Sequence, residues 1–212
     1  MKASNYKYLI AIIFIFFGEQ IAAEDRIVIN FESPPSLNQE AKLIQNIKNY
    51  NSVQSIENYL MQQNWIENFL IKSSFFGKFH QIFIQSKKPK YVWKDKFYID
   101  SQVSTFAYDG GYPDLIRLNM PLEYLTFWIK AENQYITLFN DLSLTIRSVG
   151  FQPAVGWYLI TSDALRVNLG DDLSNDTYQK LSLTLKYMFE NNLTPSIIDL
   201  RYKAGAALNY GK

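Results

Sequence analysis

The sequence predicts an α+β protein, and three observations lead to that prediction. First, 48% of the 212 residues are hydrophobic, including 15 Tyr, 15 Phe and 4 Trp, which is enough for a packed core. Second, residues 26–88 show strand and helix periodicities in the order strand, helix, helix, strand, strand. Third, residues 89–212 are dominated by short strand patterns interrupted by two helical stripes. We therefore expect a small α+β domain followed by a mostly antiparallel β domain with flanking helices.

Composition excludes several classes of function. The formal net charge is +1, with 21 basic and 20 acidic residues, so no excess of positive charge indicates nucleic-acid binding. The chain has no cysteine, which excludes disulfides, thiol catalysis and cysteine-bound zinc. The absence of cysteine does not fix the cellular compartment.

The N-terminal segment predicts export of the remaining chain. Lys2 and Lys7 precede an apolar run from Tyr8 to Gly18, and small residues follow up to Ala23. Length alone favours a cleaved signal peptide, because a membrane-spanning helix needs roughly 17–25 residues. The alternative is a retained transmembrane helix. Both interpretations leave the N-terminus in the cytoplasm and place the bulk of the chain outside it.

The first domain is predicted from its helix starts and strand patterns. Ser36 with Gln39 three residues later forms a capping box, and Ser52 caps a second, shorter helix. Alternating and β-branched runs predict strands at 26–31, 65–74 and 79–85. The lysines in residues 87–90 then mark a boundary, which we interpret as a solvated linker rather than a contact with anionic lipid.

The second domain is predicted to consist mainly of strands. Two helical stripes start at Tyr124 and Tyr178, and acidic residues at 171–176 precede the second one. A hairpin is expected where residues 157–160 and 165–169 flank a turn. Further strands are predicted at 91–93, 97–99, 115–118 and 142–146.

No catalytic or metal-binding constellation is predicted. His80 is the only histidine and lies in the middle of a predicted strand, so a Ser-His-Asp arrangement is disfavoured. Asp171, Asp172 and Asp176 do not have the spacing of a calcium loop, and we interpret them as helix caps. We therefore expect no cofactor, no bound metal and no small-molecule substrate.

The C-terminal stretch is the strongest candidate for a binding site. Ile197 to Tyr202 alternates apolar and polar residues, which predicts a strand with one buried and one solvated face. Gly205 lies within the continuing pattern and is followed by small residues that could not obstruct an approaching chain. One interpretation is an internal strand paired on both sides. The other is an edge strand that accepts a partner's strand by β-augmentation.

These residues also resemble a known family. Residues 199–207 (DLRYKAGAA) are similar to the "DLRY-x-x-G-x-A" ending of the bacterial cell division proteins FtsQ and DivIB. Three further stretches follow the family's order, namely residues 89–93 (PKYVW) with 98–100 and Phe106, residues 118–121 (LNMP), and residues 157–160 (WYLI) with 167–170 (VNLG).

The resemblance implies an architecture and a function. It implies a cytoplasmic segment at 1–7, a retained transmembrane helix or signal anchor at 8–23, a POTRA domain at 26–88 and an FtsQ-type β domain at 89–212. The family is a non-enzymatic scaffold of the inner membrane and division septum, whose last strand binds an FtsB/DivIC- and FtsL-type complex. By matching position, the partner-binding residues would be Arg201, Tyr202, Lys203, Ala204, Gly205, Ala206, Ala207 and Leu208.

Two other functional classes are open at this stage. A POTRA-containing component of envelope assembly or secretion would need repeated units or a barrel, and neither pattern is visible. A periplasmic hydrolase would need a cleft that gathers carboxylates with shifted pKa values.

Overall fold

The computed structural model describes residues 26–74, 79–203 and 205–211. The predicted segments at 1–7 and 8–23 lie outside these residues. No helix in the described ranges is both long enough and apolar enough to cross a bilayer. The chain is a mixed α+β protein, as predicted, and forms two compact units. The first contains residues up to Pro35 together with Glu40–Ser86, and the second contains Ser36–Gln39 and the chain from Lys87 onward.

The first unit has the predicted order of elements. These are β1 (Arg26–Ser33), α1 (Leu37–Ile47), α2 (Val53–Met61), β2 (Ile66–Ser73) and β3 (Phe79–Ser86). The sheet order is β1-β3-β2, with β1 parallel and β2 antiparallel to β3. The helices bury apolar side chains such as Leu43 and Leu60, and the central strand buries Ile82 and Ile84.

Both predicted helix caps of this part of the chain are present. The Ser36 hydroxyl accepts a hydrogen bond from the Gln39 backbone N–H at 3.1 Å, and the Ser36 N–H donates to Gln39 Oε1 at 3.3 Å. This is the reciprocal pairing of a capping box. Ser52 caps α2 by accepting from the Ser55 N–H at 3.2 Å.

The second unit is built on one mixed sheet. Its elements are β4 (Pro89–Trp93), β5 (Phe97–Asp100), β6 (Thr105–Ala107), β7 (Ile116–Asn119), a 3₁₀ turn (Leu122–Tyr124), α3 (Leu125–Asp141), β8 (Ile146–Gln152), β9 (Gly156–Thr161), β10 (Arg166–Gly170), α4 (Asn175–Glu190), β11 (Ile197–Asp199) and β12 (Ala207–Asn209). The strand order is β12-β11-β10-β9-β8-β7-β4-β5-β6. Five of the eight described pairings are antiparallel and three are parallel.

The core of the second unit lies between the sheet and its two long helices. A single apolar cluster includes Trp128 and Tyr135 of α3 and Leu181 and Leu185 of α4. Side chains in register across six neighbouring strands join the same cluster, namely Leu208, Ile198, Val167, Leu159, Val149 and Leu118. Because partners in register share a face, this row defines the core side of the sheet.

The predicted strand at residues 142–146 is wrong in its extent. Leu142 ends α3, and Ser143 follows with φ +57°, so the chain turns at this point. The strand β8 begins only at Ile146. The alternating apolar residues Leu142 and Leu144 pack against the core from the turn, which is why their spacing resembled a strand.

Candidate partner-binding edge

The C-terminal stretch forms a hairpin rather than the single continuous strand that the sequence predicted. β11 covers only Ile197–Asp199, and the chain returns antiparallel to it as β12. β11 also pairs with β10 in parallel, so it is internal and paired on both sides. Within the described residues, β12 is paired on one side only and forms an edge of the sheet. The stretch therefore contains an internal strand in its first half and an edge strand in its second half, and the addition of a partner's strand to that edge stays a prediction.

Local hydrogen bonds explain why the strand ends at Asp199. The Asp199 carboxylate accepts from the Arg201 backbone N–H at 3.1 Å, which is an Asx-turn, and from the Arg201 Nε at 2.9 Å. The hydrogen bond from Arg201 is the main cause that lowers the pKa of Asp199. Lys180 of α4 donates to the carbonyl oxygens of Leu200 (2.8 Å) and Tyr202. Gly205 then has φ +83°, which favours glycine.

The predicted partner-binding residues are divided between this turn and the edge strand. Arg201, Tyr202 and Lys203 lie exposed in the turn, and Ala204 lies outside the described residues. Gly205 is exposed in the same turn. The side chains of Ala206 and Leu208 are partly buried against the core, and Ala207 with Leu208 belongs to β12. The predicted residues therefore form a contiguous segment, but only its last part has strand geometry.

Backbone hydrogen bonds fix the direction in which β12 faces. The Arg166 N–H donates to the Ser196 carbonyl at 3.0 Å, and the Leu200 N–H donates to the Asn168 carbonyl at 2.9 Å. The backbone N–H and C=O of Ile198 therefore point to β10, and those of Ile197 and Asp199 point to β12. Their register partners are Asn209 and Ala207. The backbone N–H and C=O of Leu208, which lies between those partners, consequently point to the free edge.

Side chains that the sequence analysis missed hold β12 in place. The Asn209 carbonyl accepts from the Ser196 N–H at 2.8 Å and from the Ser196 hydroxyl at 3.1 Å. The same hydroxyl lies 2.6 Å from the Gly211 carbonyl, and Asn209 Oδ1 accepts from the Gly211 N–H at 2.7 Å. Lys180 is the third missed residue. Its position on the polar side of a helical stripe gave no sign of a contact with a turn twenty residues later in the chain.

The edge lacks the features that usually block strand addition. β12 contains neither proline nor a charged residue, and its three residues are Ala207, Leu208 and Asn209. Exposed aromatic residues precede and follow it in the sequence, with Tyr202 57% and Tyr210 56% exposed. At the opposite edge, β6 buries Phe106 almost completely, and Lys87 Nζ lies 5.9 Å from the centre of that ring. β12 therefore offers the better combination of free backbone and accessible aromatic surface.

His80 and Asp172, which were considered for catalysis and metal binding, have structural partners. His80 faces Ser73 across the β2–β3 pairing, with 2.9 Å between its Nδ1 and the Ser73 hydroxyl. Asp172 Oδ1 accepts from the Ser174 N–H at 3.0 Å. The cap of α4 is Ser174 rather than one of the three aspartates, and Asp176 lies in the first turn of the helix. In the described part of the chain, no three His, Cys, Asp or Glu side chains are grouped to hold a metal ion.

Comparison with known proteins gives two matches of the same name. The chain is 20% identical over 166 residues to the cell division protein FtsQ of Aliivibrio fischeri, covering 74% of this chain and 62% of that protein. It is 24% identical over 139 residues to the cell division protein FtsQ of Vibrio cholerae, covering 61% of this chain and 51% of that protein. No family model matches the chain.

The two matches confirm the predicted resemblance to the FtsQ family. The matched regions span only about half to three fifths of each relative's length.

Proposed function

We propose that this protein is a non-catalytic cell division protein that binds a partner's β-strand at the free edge of β12. The observation that carries the proposal is the open edge, where the backbone groups of Leu208 point outward, and exposed Tyr202 and Tyr210 precede and follow β12 in the sequence. Main-chain hydrogen bonds would fix the register of the added strand, and the aromatic side chains would supply contact area. The similarity to FtsQ proteins supports the role in division.

The partners in this proposal are division proteins of the FtsB/DivIC and FtsL type. An extended segment of one such partner would pair with β12 and enlarge the sheet by one strand. Partner contacts would involve residues 201–208, with the turn residues Arg201, Tyr202 and Lys203 touching the partner through side chains rather than ladder hydrogen bonds. The first unit would act as a POTRA domain that assists recruitment. We further propose a single N-terminal anchor in the inner membrane, with the bulk of the chain in the periplasm at the division septum.

A matched set of proline substitutions tests the edge. Leu208→Pro removes the outward N–H of β12, so we expect affinity for a purified FtsB/FtsL-type complex to fall at least about tenfold. Leu208→Ala reports the loss of packing alone and should have a smaller effect. Affinity measured by calorimetry with the full chain gives the comparison.

The opposite edge of the sheet provides the control. The Tyr108 N–H donates to the Lys96 carbonyl of the β5 side, so the neighbouring Ala107 N–H of β6 points outward. Ala107→Pro should therefore leave partner affinity unchanged. The proposal fails if Ala107→Pro weakens binding as much as Leu208→Pro does, or if neither changes it. Mid-cell accumulation of a tagged chain, lost with Leu208→Pro, is the matching result in cells.

A further inference from the structure

A cavity of about 410 Å³ lies in the second unit, between the start of α3 and the loop that precedes α4. Its aromatic wall is formed by Tyr124, Phe127 and Trp157, and Asp171 and Asp172 form an acidic side. None of these residues belongs to the edge strand or its turn. The volume falls within the range of sites that accept a small ligand or one to two side chains.

The aromatic wall is ordered by ring packing. Tyr124 stacks on Phe151 with 4.0 Å between ring centres, and Trp157 meets Phe151 edge-on at 5.5 Å. Trp157 is buried, whereas Phe127 is 57% exposed at the rim. The cavity therefore combines fixed aromatic faces inside with accessible apolar surface outside. The faces of aromatic rings carry partial negative charge and attract cations.

The acidic side is also ordered, and it retains unused capacity. Asp172 Oδ1 accepts from the Ser174 N–H and from the Thr177 hydroxyl, which holds the loop against the first turn of α4. In the described part of the chain, Asp171 is exposed and has neither a hydrogen bond nor an ion pair. One carboxylate thus fixes the loop while the other remains free to bind a ligand.

We propose that this cavity binds a lysine or arginine side chain of a protein partner, together with an apolar residue beside it. Aromatic faces and carboxylates are both complementary to an organic cation, and the exposed Phe127 offers a contact for the neighbouring apolar residue. Lys130, which also lines the cavity, is exposed and can turn its ammonium group toward solvent. This binding surface is independent of the proposed strand addition at β12.

The test uses three peptide probes that differ in one side chain. These are acetyl-Leu-Arg-Leu-amide, the same peptide with uncharged citrulline in place of arginine, and the same peptide with glutamate. Each is titrated into the full chain while the indole N–H resonance of Trp157 is followed by NMR. We expect saturable shifts with the arginine peptide and an affinity about three- to tenfold weaker with citrulline, which has the same shape without the charge.

Matched variants then assign the binding to the cavity. Asp171→Asn should weaken the binding of the arginine peptide about threefold and leave the binding of the citrulline peptide unchanged. The control is Asp114→Asn, at an exposed acid away from the cavity, which should change the affinity of neither peptide. Phe127→Ala should weaken the binding of both peptides, whereas Leu183→Ala, at a residue that is also exposed but lies on α4, should not. Leu208→Pro should leave all these values unchanged, so failure here is distinguishable from failure of the edge proposal.

Three results would overturn the inference. The first is equal affinity for the arginine and citrulline peptides. The second is tighter binding of the glutamate peptide that is lost with Lys130→Ala, which would make the cavity an anion site. The third is the absence of any saturable shift of the Trp157 resonance with the arginine peptide at millimolar concentration.

Discussion

Removing the ammonium group of Lys180 should loosen the edge strand while the rest of the domain stays folded. Lys180 Nζ donates to the carbonyl oxygens of Leu200 and Tyr202, so a single ammonium group holds two carbonyls of the turn that follows β11. Lys180→Met keeps most of the aliphatic stem and deletes the donor. The substitution therefore tests the two hydrogen bonds rather than the packing of the side chain.

The expected magnitude follows from the number and exposure of the lost bonds. A hydrogen bond to a charged group contributes about 1.5–3 kcal/mol when well shielded, and less where water can replace it. Lys180 is only partly buried, so we take about 1–2 kcal/mol for the pair. That energy corresponds to an increase of about 5- to 30-fold in the population of an opened hairpin.

Amide hydrogen exchange measures this opening directly. The backbone N–H groups of β11 and β12 should exchange about 5- to 30-fold faster in Lys180→Met, while those of α3 remain unchanged. The control is Lys186→Met, because Lys186 is exposed on the same helix and only approaches Glu190 at 3.9 Å. Equal exchange in both variants would refute the reasoning, as would a uniform increase across α3.

Three further predictions concern charge and backbone strain. The pKa of Asp199 is lowered chiefly by the hydrogen bond from Arg201, so the stabilisation of the hairpin by Asp199 is complete above about pH 5 and is lost as pH falls below about 4. Hydrogen exchange of the β12 amides, measured against pH, should show this loss of stability. Asp199→Asn should abolish the pH dependence. Gly156 has φ +78°, and a Cβ added there would lie only 2.1 Å from a backbone oxygen, so Gly156→Ala should lower the free energy of unfolding in urea by about 3 kcal/mol or more. Gly205 has φ +83° but open space around it, so Gly205→Ala should lower the same free energy by about 1 kcal/mol. Glu132→Gln removes the buried carboxylate that accepts from Lys90 and Tyr91 and should lower the free energy of unfolding by about 1–3 kcal/mol.

The features predicted correctly from the sequence are those that depend on short-range pattern. The helical stripes of α3 and α4, the cap of Ser36 with Gln39 and the β9–β10 hairpin all depend on neighbours within a few residues. Each of these features also places apolar residues on the face that is buried. Local periodicity and burial agree there, so the sequence is sufficient.

The break in the terminal strand could not be predicted in the same way. Residues 197–202 alternate regularly, but the Asx-turn at Asp199 competes with the strand, and Lys180 stabilises the turn from another element. Ser196 holds β12 through a contact across the hairpin. These interactions depend on the tertiary arrangement, which no local pattern contains. The C-terminal strand was therefore predicted in the right place but with the wrong internal geometry, and its partner-binding role stays a prediction.

The shortness of β12 limits how much of the binding energy the backbone can supply. Only Leu208 lies between the two residues that face β11, so within β12 one N–H and one C=O are available to a partner. Two such hydrogen bonds contribute about 1–3 kcal/mol in total, whereas a micromolar complex requires about 8 kcal/mol.

In the proposed complex the remaining energy comes from side chains, and the exposed rings of Tyr202 and Tyr210, which precede and follow β12 in the sequence, are the residues we expect to supply it. Tyr202→Ala should therefore lower the affinity for the partner at least as much as Leu208→Pro does. In this proposal the edge strand sets the register of the partner and the aromatic rings supply most of the affinity. Calorimetry in which the Tyr202→Ala variant binds the partner as tightly as the unmodified chain would contradict it.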